Sequence, residues 1–137
     1  MRDELKNKLI SSFKFYKKDT PIYCGDGWFS ILWHLSDKIE QELIRQYTPD
    51  VMAKAYLSGE SLLHVFQIKE KFGTLRFQVY SENERINDLI EQAESASAET
   101  CENCGNGGKL RYEDWQTVKC DTCHEKEEAK RRNRGDR

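Results

Sequence analysis

The chain has 137 residues and a mass of 16.1 kDa, a length that suits one domain with at most a small appendage. Its 22 Lys+Arg against 24 Asp+Glu give a net charge of −2, which excludes a generally cationic nucleic-acid coat. Charged residues at 34% and apolar residues at 37% make it apolar-poor, yet 11% aromatic residues exclude wholesale disorder and leave material for a compact core.

Residues 2–13 carry Leu5, Leu9, Ile10 and Phe13 at helical spacing, which predicts an amphipathic first helix that ends by Asp19-Thr20-Pro21. Asp26 is placed as the N-cap of a second helix running from about Gly27 to Tyr47. On it Trp28, Ile31, Leu32, Leu35, Ile39 and Leu43 form one stripe. Phe29 and Trp33 widen that stripe beyond what a surface helix needs, so this is the expected core helix. Thr48 as cap and Pro49 in the first turn restart a short helix, which Gly59 stops. From Leu62 to Tyr80 the period changes to two. His64, Phe66 and Ile68 alternate with Val65, Gln67 and Lys69; beyond Lys71-Phe72-Gly73-Thr74, Leu75, Phe77 and Val79 alternate with Arg76, Gln78 and Tyr80. That pattern predicts a hairpin with one apolar face and a polar face carrying Gln67, Lys69, Arg76, Gln78 and Tyr80. Ser81-x-x-Glu84 has the form of a capping box and opens a helix with Ile86, Leu89, Ile90 and Ala93 on one face.

Five cysteines divide into four and one. Cys101-x2-Cys104-x15-Cys120-x2-Cys123 has the spacing of a zinc site, whereas Cys24 stands apart. A Cys-x-x-Cys turn sets two thiolates on one edge of a tetrahedron, and a loop of this length can bring the second pair opposite. Four thiolates close the coordination sphere, so a structural Zn2+ is expected, with binding energy substituting for apolar core in so small a segment. Between the pairs, Asn106-Gly107-Gly108 reads as a turn, residues 109–112 as a strand, Glu113-Asp114 as a turn and residues 115–119 as a second strand; HEKEEAKRR then reads as a helix. A knuckle, a hairpin, and a knuckle running into a helix resemble the treble-clef or zinc-ribbon fingers. The expectation is an α+β fold: residues 1–99 form a domain of helices packed on a β-hairpin, 100–132 a four-Cys module, and 133–137 a frayed basic tail.

The strings CGDGWFSILWHLSDKIE (24–40) and FQIKEKFGTLRFQVY (66–80), followed by a four-Cys finger, resemble a group of small uncharacterised phage and prophage proteins. The resemblance covers most of residues 22–125 and implies a phage accessory protein in a bacterial cytoplasm, with no activity and no catalytic residue carried over. The finger alone is also similar to the DksA/TraR kind of RNA polymerase regulator, although the spacer is shorter here and the long acidic-tipped coiled coil is missing.

The chain opens on MRDELKNKL, without the apolar stretch of a secretory signal, and no apolar run approaches the roughly 20 residues of a membrane span. A soluble, cytoplasmic protein is expected. Gly25-Asp26-Gly27 lacks the glycine spacing or Walker lysine of a phosphate loop and reads as a turn that admits Trp28 to the core. Lys69, Lys71 and Arg76 around the hairpin, with Phe72 at its tip and Tyr80 beyond, suit phosphate and stacking contacts to nucleic acid or the docking of a protein. Arg131 and Arg132, near the C-terminus, add a basic patch. The expected function is a non-enzymatic zinc-containing binding or adaptor protein acting on a host or phage macromolecule. One alternative is a nucleic-acid binder working through hairpin and tail. The other is a small cysteine-dependent enzyme in which Cys24, at a helix N-terminus, works with His34.

Overall fold

The computed structural model describes residues 1–112 and 115–135, and the turn expected at Glu113-Asp114 lies outside them. In chain order the elements are α1 (Asp3–Ser12), β1 (Ile22–Tyr23), a 3₁₀ turn (Asp26–Trp28), α2 (Phe29–Gln46), α3 (Pro49–Leu57), β2 (His64–Lys71), β3 (Thr74–Tyr80), α4 (Glu84–Ser97), β4 (Lys109–Arg111), β5 (Thr117–Lys119) and α5 (Asp121–Arg134). The protein is α+β: helices cover one face of a small sheet, and a four-Cys module closes the chain.

The sheet has the order β1-β2-β3. β2 and β3 form the expected hairpin, and β1, a two-residue strand too short to announce itself in the sequence, joins β2 in parallel with Ile22 opposite Ile68 and Tyr23 opposite Lys69. The inward side chains Ile22, Val65, Ile68, Leu75 and Phe77 meet Trp28, Leu32, Leu35, Ile39 and Leu43 of the central helix segment and Ile86, Leu89, Ile90 and Ala93 of α4. The widened stripe on α2 thus does mark the core helix, with Phe29 and Trp33 half-buried at its flank. A buried polar side-chain pair crosses this core, the Tyr16 hydroxyl and Ser36 Oγ at 2.6 Å.

α4 also covers the β3 edge of the sheet. Leu75 N–H donates to Ser97 Oγ at 2.8 Å, and Phe77 N–H donates to the Glu94 carboxylate at 3.0 Å. Backbone donors that would invite a further strand are thereby satisfied.

Several local expectations need correction. Asp26 does not cap α2; its carboxylate accepts from the Arg2 backbone N–H and from Arg2 Nε, both at 2.7 Å, and the helix starts only after the 3₁₀ turn. These bonds hold the Asp26 carboxyl below its usual range. The cap of α4 is Asn83, whose Oδ1 accepts from Ile86 N–H at 3.1 Å, while Ser81 instead accepts from Asn83 N–H. A bulge at Phe66 breaks the period-two pattern of β2: Val65 and Ile68, three residues apart, point inward, and Phe66 is left outside. The helix after the second knuckle runs through Arg134 and is closed by Gly135 at φ +75°, so residues 133–134 are helical rather than a frayed tail.

Candidate metal centre and binding face

The first Cys pair sits in a tight knuckle. Cys101 N–H donates to the Asn106 carbonyl at 2.7 Å, and Gly105 N–H donates back to the Cys101 carbonyl at 2.9 Å, with Gly105 at φ +86°. The second pair starts α5: Cys120 is its N-cap, and its sulfur accepts from Cys123 N–H at 3.4 Å. β4 and β5 lie between, paired Leu110 to Val118, so the module has the order of a treble-clef finger.

The four Sγ atoms all lie within 4.8 Å of one another. Cys104 and Cys120 sulfurs are 3.6 Å apart. That is far beyond the bonded distance of about 2 Å in a disulfide. It is close to the edge of about 3.8 Å that a tetrahedron with metal–sulfur bonds of about 2.3 Å would have. The donor set fits a metal ion held by Cys101, Cys104, Cys120 and Cys123. Asn103 Nδ2 adds a donor to Cys123 sulfur at 3.4 Å, of the kind that orients a metal-binding thiolate.

The module is bolted to the main domain by the Gly25-Asp26-Gly27-Trp28 segment. Gly27 N–H donates to the Glu102 carbonyl at 2.7 Å, Gly25 N–H to the Glu102 carboxylate at 2.9 Å, and the fully buried Trp28 indole N–H to the Thr100 carbonyl at 2.9 Å. A Cβ on Gly27 would lie 2.1 Å from the Cys101 carbonyl oxygen, so only glycine lets the knuckle approach. Burial pushes the Glu102 carboxyl above its usual range, against the pull of the Gly25 hydrogen bond. The hairpin tip holds the other side of the module: a Cβ on Gly73 would meet Leu110 Cδ1 at 2.6 Å. Both strings that stand out in the sequence, GDGW and KEKFG, are therefore seats for the finger.

The two residues of the cysteine-enzyme alternative are placed differently. Cys24 is buried, and burial pushes its thiol up to about 12, the opposite of an activated nucleophile. The charged groups acting on it are Glu102, the N-terminal ammonium, Lys6 and Asp26. His34 is exposed on α2 and lines a cavity of about 610 Å³ shared with Asp26, Asn103 and Cys104.

The outer face of the β1-β2-β3 sheet carries the remaining candidate residues. Lys69 and Arg76 are a cross-strand pair, as are Gln67 and Gln78, whose side chains hydrogen-bond at 2.6 Å, and His64 and Tyr80. The register puts Tyr23, from β1, beside Lys69. On β1 and the hairpin, the aromatic side chains of Tyr23 (65%), Phe66 (52%), Phe72 (65%) and Tyr80 (67%) are strongly exposed, as are Tyr112 and Trp115 in the four-Cys module. Sequence reasoning found Phe72 and Tyr80 but missed Tyr23 and Phe66, because neither a two-residue strand nor a bulge leaves a periodic signal. At the tip, Lys71 Nζ lies 5.6 Å from the Phe72 ring centre. Phe72 and Gly73 both have positive φ, +53° and +84°, in a two-residue turn of the I′ kind. Arg131 and Arg132 belong instead to the last turn of α5, where Arg131 pairs with Glu128 at 3.2 Å and Arg132 is exposed.

Among the described residues no helix is long and apolar enough to cross a membrane. The chain matches no protein-family model, no curated protein and no solved structure.

Proposed function

We propose that this is a non-enzymatic binding or adaptor protein, braced by a structural zinc ion, whose outer sheet face docks on a macromolecule. The observation that supports it best is Phe72. It is large, apolar, two-thirds exposed and left-handed in backbone, at a turn position that Asn, Asp or Gly would fill with less strain. Neither core packing nor turn chemistry accounts for it, and strain retained on an exposed side chain is a mark of use. Tyr23, Phe66 and Tyr80 share its exposure. Four sulfur donors leave a bound zinc no open position, which favours bracing over catalysis, and the raised Cys24 thiol favours a structural cysteine. Zinc is preferred to other ions because two Cys-x-x-Cys pairs supplying four thiolates at tetrahedral spacing suit it.

The resemblance to phage and prophage proteins makes the partner a host or phage macromolecule in a bacterial cytoplasm. The test is a pull-down with the tagged, zinc-loaded chain from bacterial lysate, with and without nuclease, beside a Tyr23→Ser/Phe66→Ser/Tyr80→Ser variant. Partners captured by the wild type and lost by the folded variant are expected. Equal capture by both overturns the assignment to this face.

A further inference from the structure

We infer that the outer face of the β1-β2-β3 sheet is a stacking platform for single-stranded nucleic acid; the inference rests on the proposed binding role of that face and names its partner. The outward side chains of the paired strand positions include Tyr23, Lys69, Lys71, Arg76 and Tyr80, with Phe66 added by the bulge, and none of the outward ones is acidic. In a chain with net charge −2, this face collects the cations Lys69, Lys71 and Arg76 and leaves the acids elsewhere. Glu70, the acid within β2, pairs with Leu75 on the other face and is occupied by Gly73 N–H at 2.8 Å. Glu82, beyond the end of β3, lies 3.4 Å from the Tyr80 hydroxyl, at the rim.

Aromatic rings that stack on bases, interleaved with cations that meet phosphates, are what single strands require, because stacking accepts any unpaired base. A duplex hides its base faces and offers only edges in its grooves. The geometry also argues against the hairpin as a groove-entering ribbon. Its tip is packed on the four-Cys module through Gly73 and Leu110, so it cannot advance into a major groove, whereas on the flat of the sheet Tyr23, Phe66, Arg76, Gln78 and Tyr80 are exposed. β3 alone has seven residues, about 24 Å at about 3.4 Å per residue. That length accommodates several nucleotides from the Tyr80 end to the Phe72 tip. Ring contacts on the face are already formed, with His64 and Phe66 at 4.4 Å between centres, so little ordering is needed on binding.

The experiment is fluorescence anisotropy of the zinc-loaded full chain with labelled 15-nucleotide single strands, DNA and RNA, and the corresponding duplexes, across a salt series. Single strands are expected to bind more tightly than duplexes. Phe66→Ala and Tyr80→Ala, on exposed positions that leave the fold intact, should each weaken binding by about 5-fold to 150-fold. With three cations engaged, the log–log salt slope should be about −2, and Lys69→Gln/Arg76→Gln should bring it to about −0.7. Duplex binding equal to single-strand binding, or aromatic variants that bind like wild type, overturns the inference. So does an absence of binding at low salt. If the pull-down then yields a nuclease-resistant partner lost in the aromatic variant, the face is a protein-docking surface and only the nucleic-acid inference fails. If that variant also captures every partner, the proposed function fails with it.

Discussion

Phe72 combines an exposed ring with a backbone at φ +53°, a conformation that costs a side chain with a Cβ roughly 1 kcal/mol or more. Phe72→Asn, which produces the Asn-Gly pair favoured in such turns, should raise the unfolding free energy by about 1 kcal/mol in urea titration. The same variant should bind its partner less well; a variant that is destabilised would remove the argument from strain. Cys24 makes the opposite kind of prediction. Burial lifts its thiol from an ordinary value of 9.0 to about 12. Between those values the folded protein keeps a proton that the unfolded chain has released, so stability falls as pH rises through that window. Cys24→Ala should flatten that part of the stability–pH profile relative to wild type. Native Cys24 should also be inert to thiol reagents at pH 8, and rapid labelling there would contradict its burial.

At the scale of elements, the apolar face of α2 and the start of α3 are legible from local signals, while the starts of α2 and α4 are not. Thr48 and Pro49 do begin α3, with Thr48 Oγ1 accepting from Val51 N–H at 3.3 Å, and the broad stripe on α2 does face the core. The four-Cys module was equally readable, because two knuckles at fixed spacing are a local pattern. What remained hidden depends on partners distant in sequence. Asp26 looked like a cap because its true partner, Arg2, is 24 residues away. Gly25-Asp26-Gly27 does form the turn that admits Trp28 to the core, but its second task, holding Glu102 more than 70 residues away, leaves no local signal. The finger's seat gives the element-scale test. Gly27→Ala drives a methyl against the Cys101 carbonyl and should lower stability by about 1–3 kcal/mol, with faster zinc transfer to a chromogenic chelator. Cys101→Ser and Cys120→Ser should each reduce zinc from one equivalent per chain to well below one by elemental analysis. Full retention by both would refute the four-thiolate centre.

Among the described residues the apolar core cluster is drawn from residues 9–93, and the buried Cys101 and Val118 of the second module lie outside it. The two are joined by hydrogen bonds, by close backbone approach at Gly25 and Gly27, and by the Leu110 side chain seated against Gly73. Metal removal should therefore melt the module while leaving most of the helical signal of α1, α2 and α4, as circular dichroism before and after chelation would report. Complete unfolding on chelation would instead make the finger part of a single cooperative unit. Trp28 turns this joint into an optical gauge. Its indole is fully buried and spends its N–H on the Thr100 carbonyl, the residue just before the first metal-binding cysteine. In a Trp33→Phe/Trp115→Phe background, its emission colour would shift to longer wavelength as the finger lifts and water reaches the ring. One intrinsic fluorophore would then read seating of the module in real time, with no label attached.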